Sequence, residues 1–228
     1  MSLLMLAKRL QEKALELTGR AKRPRGGHSP DIEVLGNSDE LIRKMLRDEL
    51  PRFRDRPTVP RYLDVGGRRG ERADLAIGYE YLPMDIEPRA DNVVVGDICR
   101  CPEIADDSFD VVASFDVFEH LQRPWDAARE CVRITRPGGL VIHRTLFAYR
   151  YHPVPVDYWR FSAQGLEYLF VDTGEIETVT RGYDLRGRRR NRMGMPMRGN
   201  VDVPPLDFWG GFRENWRVLY VGRKKSRE

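Results

Sequence analysis

The sequence contains little that would anchor it, staple it or give it a strong charge. No apolar run among its 228 residues approaches the roughly 18 that a membrane-spanning helix needs. Lys8 and Arg9 interrupt the leading MSLLML too early for a secretory signal. Cysteine is sparse and odd in number (Cys99, Cys101 and Cys131), which excludes a disulfide scaffold and predicts free thiols in a reducing compartment. Charge is nearly balanced: 39 basic against 35 acidic residues leave a formal +4, and pI is near 9.0. Spread over a domain of this size, that is a weak signal for nucleic acid. A soluble, cytoplasmic protein is expected, with no membrane partner and nucleic acid disfavoured.

What is present fits an ordinary globular chain. Apolar residues make up 41%, and a chain this long buries a sizeable core without disulfides or a structural metal. Residues 3–17 place Leu3, Leu6, Leu10, Ala14 and Leu17 on one helical face. That stripe predicts a helix packed on its own domain, with a homodimer contact or a lid as alternatives. Residues 19–30 have loop composition. A second helix is predicted from Asn37, with Glu40 completing a capping box and Leu41, Met45 and Leu46 on the apolar face. Residues 1–58 are therefore expected to form a helical cap, and 59–228 the main domain.

From residue 61 the pattern becomes short apolar runs (RYLDV, EYLPMDI, NVVVGDI, FDVVASF, LVIHRTLF) separated by glycine turns or helical stretches. Such alternation predicts an α/β fold with a mainly parallel sheet flanked by helices. Helices are expected at about 123–135 and 162–170, and strands at 175–181 and in ENWRVLYVGRK. The segments 148–161 and 184–213 read as insertions on the ligand-binding side.

In such sheets ligands bind where the first strand feeds a glycine turn. Here that turn is LDVGGRRG, with Asp64, Gly66, Gly67, Arg68 and Gly70. It satisfies neither the dinucleotide fingerprint G-x-G-x-x-G nor the P-loop, so NAD enzymes and nucleotide hydrolases recede. Asp85 ends the second run, where a carboxylate can accept from a ribose diol. Asp97 ends the third, and Glu119 and His120 follow the fourth.

LDVGGRRG, Asp85, GDI at 96–98, SFDVFEHL at 114–121 and RPGGLVI at 136–142, in that order and spacing, resemble class I S-adenosylmethionine-dependent methyltransferases, particularly the type 11 group. The resemblance implies a Rossmann-like, seven-stranded fold and S-adenosylmethionine as cofactor, leaving as S-adenosylhomocysteine. It implies that Asp64, Gly66 and Gly70 shape the methionyl pocket, that Asp85 holds the ribose hydroxyls and that Ile86 stacks on adenine. Asp97 and the Ile98 amide would meet the adenine edge, and the Phe115 carbonyl the methionine amino group. The sequence departs from the family's D/E-x-G-x-G-x-G at Arg68, which stands in place of the middle glycine. It would crowd the methionine end, pair with its carboxylate, or turn to solvent.

For the chemistry, an alcohol acceptor benefits from a positioned base or a metal, whereas an amine needs only its lone pair. His143, in the fifth run, is the first candidate base, with a core histidine as its rival. His120, beside Glu119, is the second. Glu119, Asp116, His120 and His143 could hold a divalent cation through carboxylate and imidazole, although no spacing demands it. Tyr149, Tyr151, His152, Asp157, Tyr158, Trp159 and Arg160 offer flat faces and hydrogen bonds suited to a hydroxyl-rich ligand. Their segment, HPVPVDYWRF, is similar to one in glycan and natural-product methyltransferases, and more loosely to actinobacterial sugar O-methyltransferases of the methylmannose polysaccharide type. The expected activity is O-methylation of a small carbohydrate-type acceptor. The alternatives are an RNA or protein methyltransferase using the arginine run at 181–192, a small-molecule N-methyltransferase, and a cofactor-binding regulatory module.

Overall fold

Asn37 starts the first helix: its side chain accepts the Asp39 amide at 3.1 Å, satisfying one of the amides a helix leaves unpaired. This helix, α1, spans Ser38–Glu49. The computed structural model describes residues 35, 37–88, 90–149, 151–186 and 215–226. The amphipathic stripe at 3–17, and most of the insertion at 184–213, lie outside them.

Seven strands follow in one sheet: β1 (Arg61–Val65), β2 (Glu80–Asp85), β3 (Val94–Val95), β4 (Phe109–Phe115), β5 (Thr135–Ala148), β6 (Ile176–Arg186) and β7 (Asn215–Lys224). Their order is β3-β2-β1-β4-β5-β7-β6. The β1, β2, β3, β4 and β5 pairings are parallel, and β7 runs antiparallel to both of its neighbours. The strands match the sequence expectation except that the third is only two residues long, the fifth extends back to Thr135, and the sixth runs on past 181 to Arg186. Between β1 and β2 the chain makes a single 3-10 turn at Ala73–Leu75 in place of a full helix.

Side-chain alternation sends residues to two cores. Leu63, Val65, Val112, Val141 and Tyr220 face helices α2 (Pro124–Ile134) and α3 (Ala163–Val171), meeting Ala128, Cys131, Leu166 and Phe170. Tyr62, Val111, Leu140, Ile142 and Leu219 face α1, meeting Ile42 and Leu46. Ile42, rather than Leu41 or Met45, completes the buried face of α1 with Leu46. Burying each contributes roughly 1.5–3 kcal/mol. The helix 38–49 therefore shares the core of the sheet, where the sequence placed it in a separate cap ending at 58.

No helix among the described residues is long and apolar enough to cross a membrane. All three cysteines are free. Cys101 lies beside the Glu130 carboxylate, and burial pushes its thiol up to about 12.

Candidate active site

The turn after β1 is held by its own backbone. The Gly66 amide donates to the Met84 carbonyl at 2.8 Å, and the Gly67 amide to that of Asp64 at 3.0 Å. Gly66 has φ +74°, and a Cβ there would lie 2.5 Å from a Val117 methyl carbon, so only glycine fits. Arg68 adopts a left-handed backbone conformation, with φ +48°.

This turn opens onto a cavity of about 420 Å³, within the usual range for small-molecule sites of ~300–1,000 Å³. Its wall contains Gly66, Arg68, Asp85, Ile86, Asp97, Ile98 and Phe115 from the expected cofactor set. Ile86 stands 66% exposed, an apolar face available to a flat ring. Asp85 is steadied by the Glu87 amide, 3.1 Å from its Oδ1. Asp64, Gly67 and Gly70 are absent from the wall among the described residues and instead shape the turn beneath it. Arg72 also lines the cavity and lies over the Phe115 ring at 4.9 Å. Nothing in the sequence signalled that contact.

Asp64 is fully buried and accepts the Tyr81 hydroxyl at 2.5 Å. Burial outweighs that bond and the nearby Arg72 charge, raising its pKa from 3.8 to about 6. The folded protein thus holds this proton more tightly than the unfolded chain. The stability Asp64 contributes is full below pH 3.8 and is lost as pH rises through about 6, a change of roughly 3 kcal/mol. Thermal melts of Asp64→Asn and the parent between pH 4 and 7 should diverge accordingly, the variant gaining relative stability as pH rises. A constant difference would contradict this.

His143 does not reach the cavity. It is fully buried, its Nδ1 lies 2.7 Å from the Ser114 hydroxyl, and its ring stacks on Phe170 at 4.4 Å and lies 4.9 Å from Phe118. Burial lowers its pKa to about 3. The expectation of a general base at 143 is corrected: this is a neutral core histidine. His143→Phe should leave any methyl transfer within about twofold and cost roughly 1–3 kcal/mol of stability, for the Ser114 hydroxyl left without its partner. Turnover and a denaturation curve on the same sample check both halves.

His120 and His152 do line the cavity. Glu119 and His120 sit in the 3-10 turn Phe118–His120 just past β4, and His152 comes from the segment after β5. That segment is fastened to the turn: the Tyr158 and Trp159 amides donate to the Glu119 carbonyl at 2.8 and 3.2 Å. Glu119 is fully buried; its Oε2 accepts from Thr145 at 2.6 Å, and its Oε1 has no hydrogen-bond partner among the described residues. Burial raises the Glu119 pKa against the Thr145 bond, and the Asp116 charge adds to the rise. Its Oε1 lies 3.9 Å from Nε2 of both His120 and His152.

Other expected partners are engaged elsewhere. Asp116 takes a bidentate bond from Arg217, at 2.8 Å from Nη2 and 2.8 to 3.0 Å from Nε. The cation set read from the sequence therefore loses Asp116 and His143 and gains His152. Trp159 donates to the Leu121 carbonyl at 2.8 Å and meets Trp125 edge-on. Tyr149 lies edge-on to His152, Tyr151 is 70% exposed, and Asp157 is bound by Arg160. Of the seven expected substrate residues only His152 reaches the cavity among the described residues, joined there by Val154 and Pro155. The aromatic wall expected at 149–160 is thus not assembled around it.

Residues 63–143 match the family model of a methyltransferase domain. An uncharacterized methyltransferase of Mycobacterium avium is 39% identical over 93 residues, 35% of this chain and 37% of that protein. The match thus spans little more than a third of the length of this curated relative. Among solved structures, a SAM-dependent methyltransferase from Archaeoglobus fulgidus superposes with TM-score 0.53 at 17% identity, over 82% of this chain and 95% of that one. The CurJ carbon methyltransferase gives 0.54 at 12%, over 82% and 54%. At such identities the likeness is one of fold.

Proposed function

We propose that this chain, which carries a class I S-adenosylmethionine-dependent methyltransferase domain, moves a methyl group from S-adenosylmethionine to a hydroxyl of a small acceptor. The observation that carries the hydroxyl reading is the convergence of buried Glu119 with His120 and His152, two residues of the cavity wall. His120 Nδ1 lies 2.6 Å from the Val156 carbonyl and His152 Nδ1 3.1 Å from Asp157. Both partners are acceptors, so each Nδ1 carries a proton, and the neutral form of each ring keeps its lone pair on Nε2. A hydroxyl must shed a proton as its oxygen attacks, and two such lone pairs beside a carboxylate serve that need. An amine that arrives neutral attacks through its own lone pair and needs them less.

In this reading Asp85 takes the ribose diol, Ile86 and the Asp97–Ile98 corner receive the adenine, and Arg68 faces the methionine carboxylate. The sulfonium is already activated, so the protein mainly aligns the oxygen with the methyl. The O–CH₃ bond forms as the S–CH₃ bond breaks, and its electron pair stays on sulfur. A carbohydrate as acceptor rests on the resemblance of HPVPVDYWRF alone. For the rival nucleic-acid reading, Arg181 of the arginine run is already paired with Glu167, and 187–192 lie outside the described residues.

Purified protein supplied with methyl-labelled S-adenosylmethionine and separate pools of oligosaccharides, total RNA and cell protein tests the acceptor class. Label in the oligosaccharide pool is the expected result. Label confined to RNA or protein would overturn the reading.

A further inference from the structure

We infer that Glu119, His120 and His152 form a binding site for one first-row divalent transition metal, of the Zn²⁺ or Mn²⁺ type, where the two histidines line the cavity and Glu119 lies buried behind them. Their ligand atoms all lie within 4.8 Å of one another. The inference deepens the hydroxyl-transfer reading only in the role given to the metal, which would engage both Nε2 lone pairs and take over from them the task of easing the hydroxyl's proton off; the site itself follows from geometry that is independent of it.

Nδ1 of His120 donates to a backbone carbonyl and Nδ1 of His152 to the Asp157 carboxylate. In its neutral form each ring therefore presents the Nε2 lone pair, and both face Oε1 of Glu119. The Nε2–Oε1 separations of 3.9 Å are too long for direct hydrogen bonds. Oε1 is buried without a partner among the described residues, an arrangement that is costly unless something positive sits between the three groups. A cation at the 2.0–2.2 Å usual for imidazole and carboxylate ligands would draw each pair together by about half an ångström.

The surroundings are those of a metal centre. Histidine ligands commonly donate their other ring N–H to a carboxylate or carbonyl, which fixes the tautomer and aims the lone pair. Both histidines do so here. Asp157 is in turn held by Arg160 Nη2 at 2.7 Å and by the His152 amide at 2.8 Å, and Thr145 orients the far oxygen of Glu119. Two imidazoles and one carboxylate suit zinc, manganese, iron or cobalt, whereas magnesium and calcium prefer all-oxygen shells. Among the described residues three protein ligands converge, which leaves a coordination position for an acceptor oxygen. Bound there, a hydroxyl would lose its proton to bulk water more readily and reach the sulfonium methyl as an alkoxide.

The test is calorimetric titration of chelator-stripped full-length protein with Zn²⁺, Mn²⁺ and Mg²⁺ separately, alongside metal analysis of the protein as purified. The inference expects one equivalent of Zn²⁺ or Mn²⁺ per chain and much weaker Mg²⁺ binding. Asp157→Asn should weaken binding about tenfold, and His152→Ala and Glu119→Gln should weaken it further. His143→Phe should bind as the parent does. Folding of each variant is checked by circular dichroism, and Co²⁺ substitution supplies an absorption spectrum that depends on the ligands. Absent stoichiometric binding, or binding that survives the combined His152→Ala/Glu119→Gln change, would overturn the inference. Hydroxyl methylation that continues in protein that binds no metal overturns the inference and leaves the hydroxyl reading intact. One bound equivalent without methylation of any hydroxyl acceptor supports the site and overturns the reading.

Discussion

Replacing Asp85 with alanine should weaken S-adenosylmethionine binding about hundredfold. The carboxylate ends β2 on the cavity wall, and the Glu87 amide holds it in place before any ligand arrives. A ribose diol would give it two charge-assisted hydrogen bonds, each contributing roughly 1.5–3 kcal/mol. Losing both costs at least about 3 kcal/mol, or two powers of ten in affinity. Asp85→Asn retains one acceptor oxygen and should lie between the two. Calorimetric titration with S-adenosylmethionine measures the effect directly. An unchanged dissociation constant in Asp85→Ala would remove Asp85 from the cofactor site and undermine the orientation proposed for the cofactor.

Lys224→Met should instead destabilise the fold while leaving cofactor affinity alone. The ammonium is 3% exposed and donates to the carbonyls of Val132, Arg133 and Thr135 at 2.8, 3.2 and 2.8 Å, and to Asp107 at 2.9 Å. It ties the end of β7 to the carboxyl end of α2, where unpaired carbonyls and the helix dipole favour a cation. Removing one partner of such a buried set costs about 3–5 kcal/mol. In a chain of this size that lowers the melting temperature by about 10 °C. The residue lies at the start of β5 and β6, the opposite sheet edge from the cavity. A melting curve and a cofactor titration on one preparation separate scaffold from site; a weakened cofactor with an unchanged melt would reverse the assignment.

The contrast between these two residues also shows what the sequence could reveal. That Asp85 and Asp97 line the cavity was legible because a carboxylate closing an apolar run marks the end of that run at the ligand-binding side of a parallel sheet. Lys224 was not: its partners are 89 to 117 residues away, and a lysine in that sequence context reads as solvated. His143 was misread for a similar reason. Strand periodicity gives the face on which a side chain lies, but the ring's neighbours come from Ser114 on β4, from Phe118 and from Phe170 on α3. Only the assembled fold shows that this face is sealed. His152 was singled out as a substrate contact, yet its pairing with Glu119 needs the segment after β5 to fold back on the 118–120 turn, which no local pattern encodes. Trp159 drew attention as an aromatic platform, but its indole N–H is spent on the Leu121 carbonyl in making that same fold-back.

The most direct test of the account is the identity of the bond that forms. S-adenosylmethionine carrying a ¹³C methyl would be turned over with the acceptor identified from the oligosaccharide pool, and the product read by carbon NMR. The account predicts a methyl resonance in the ether region, absent without enzyme and strongly reduced in His120→Ala. A methyl on nitrogen or carbon, or an ether methyl formed equally well without His120, would contradict it.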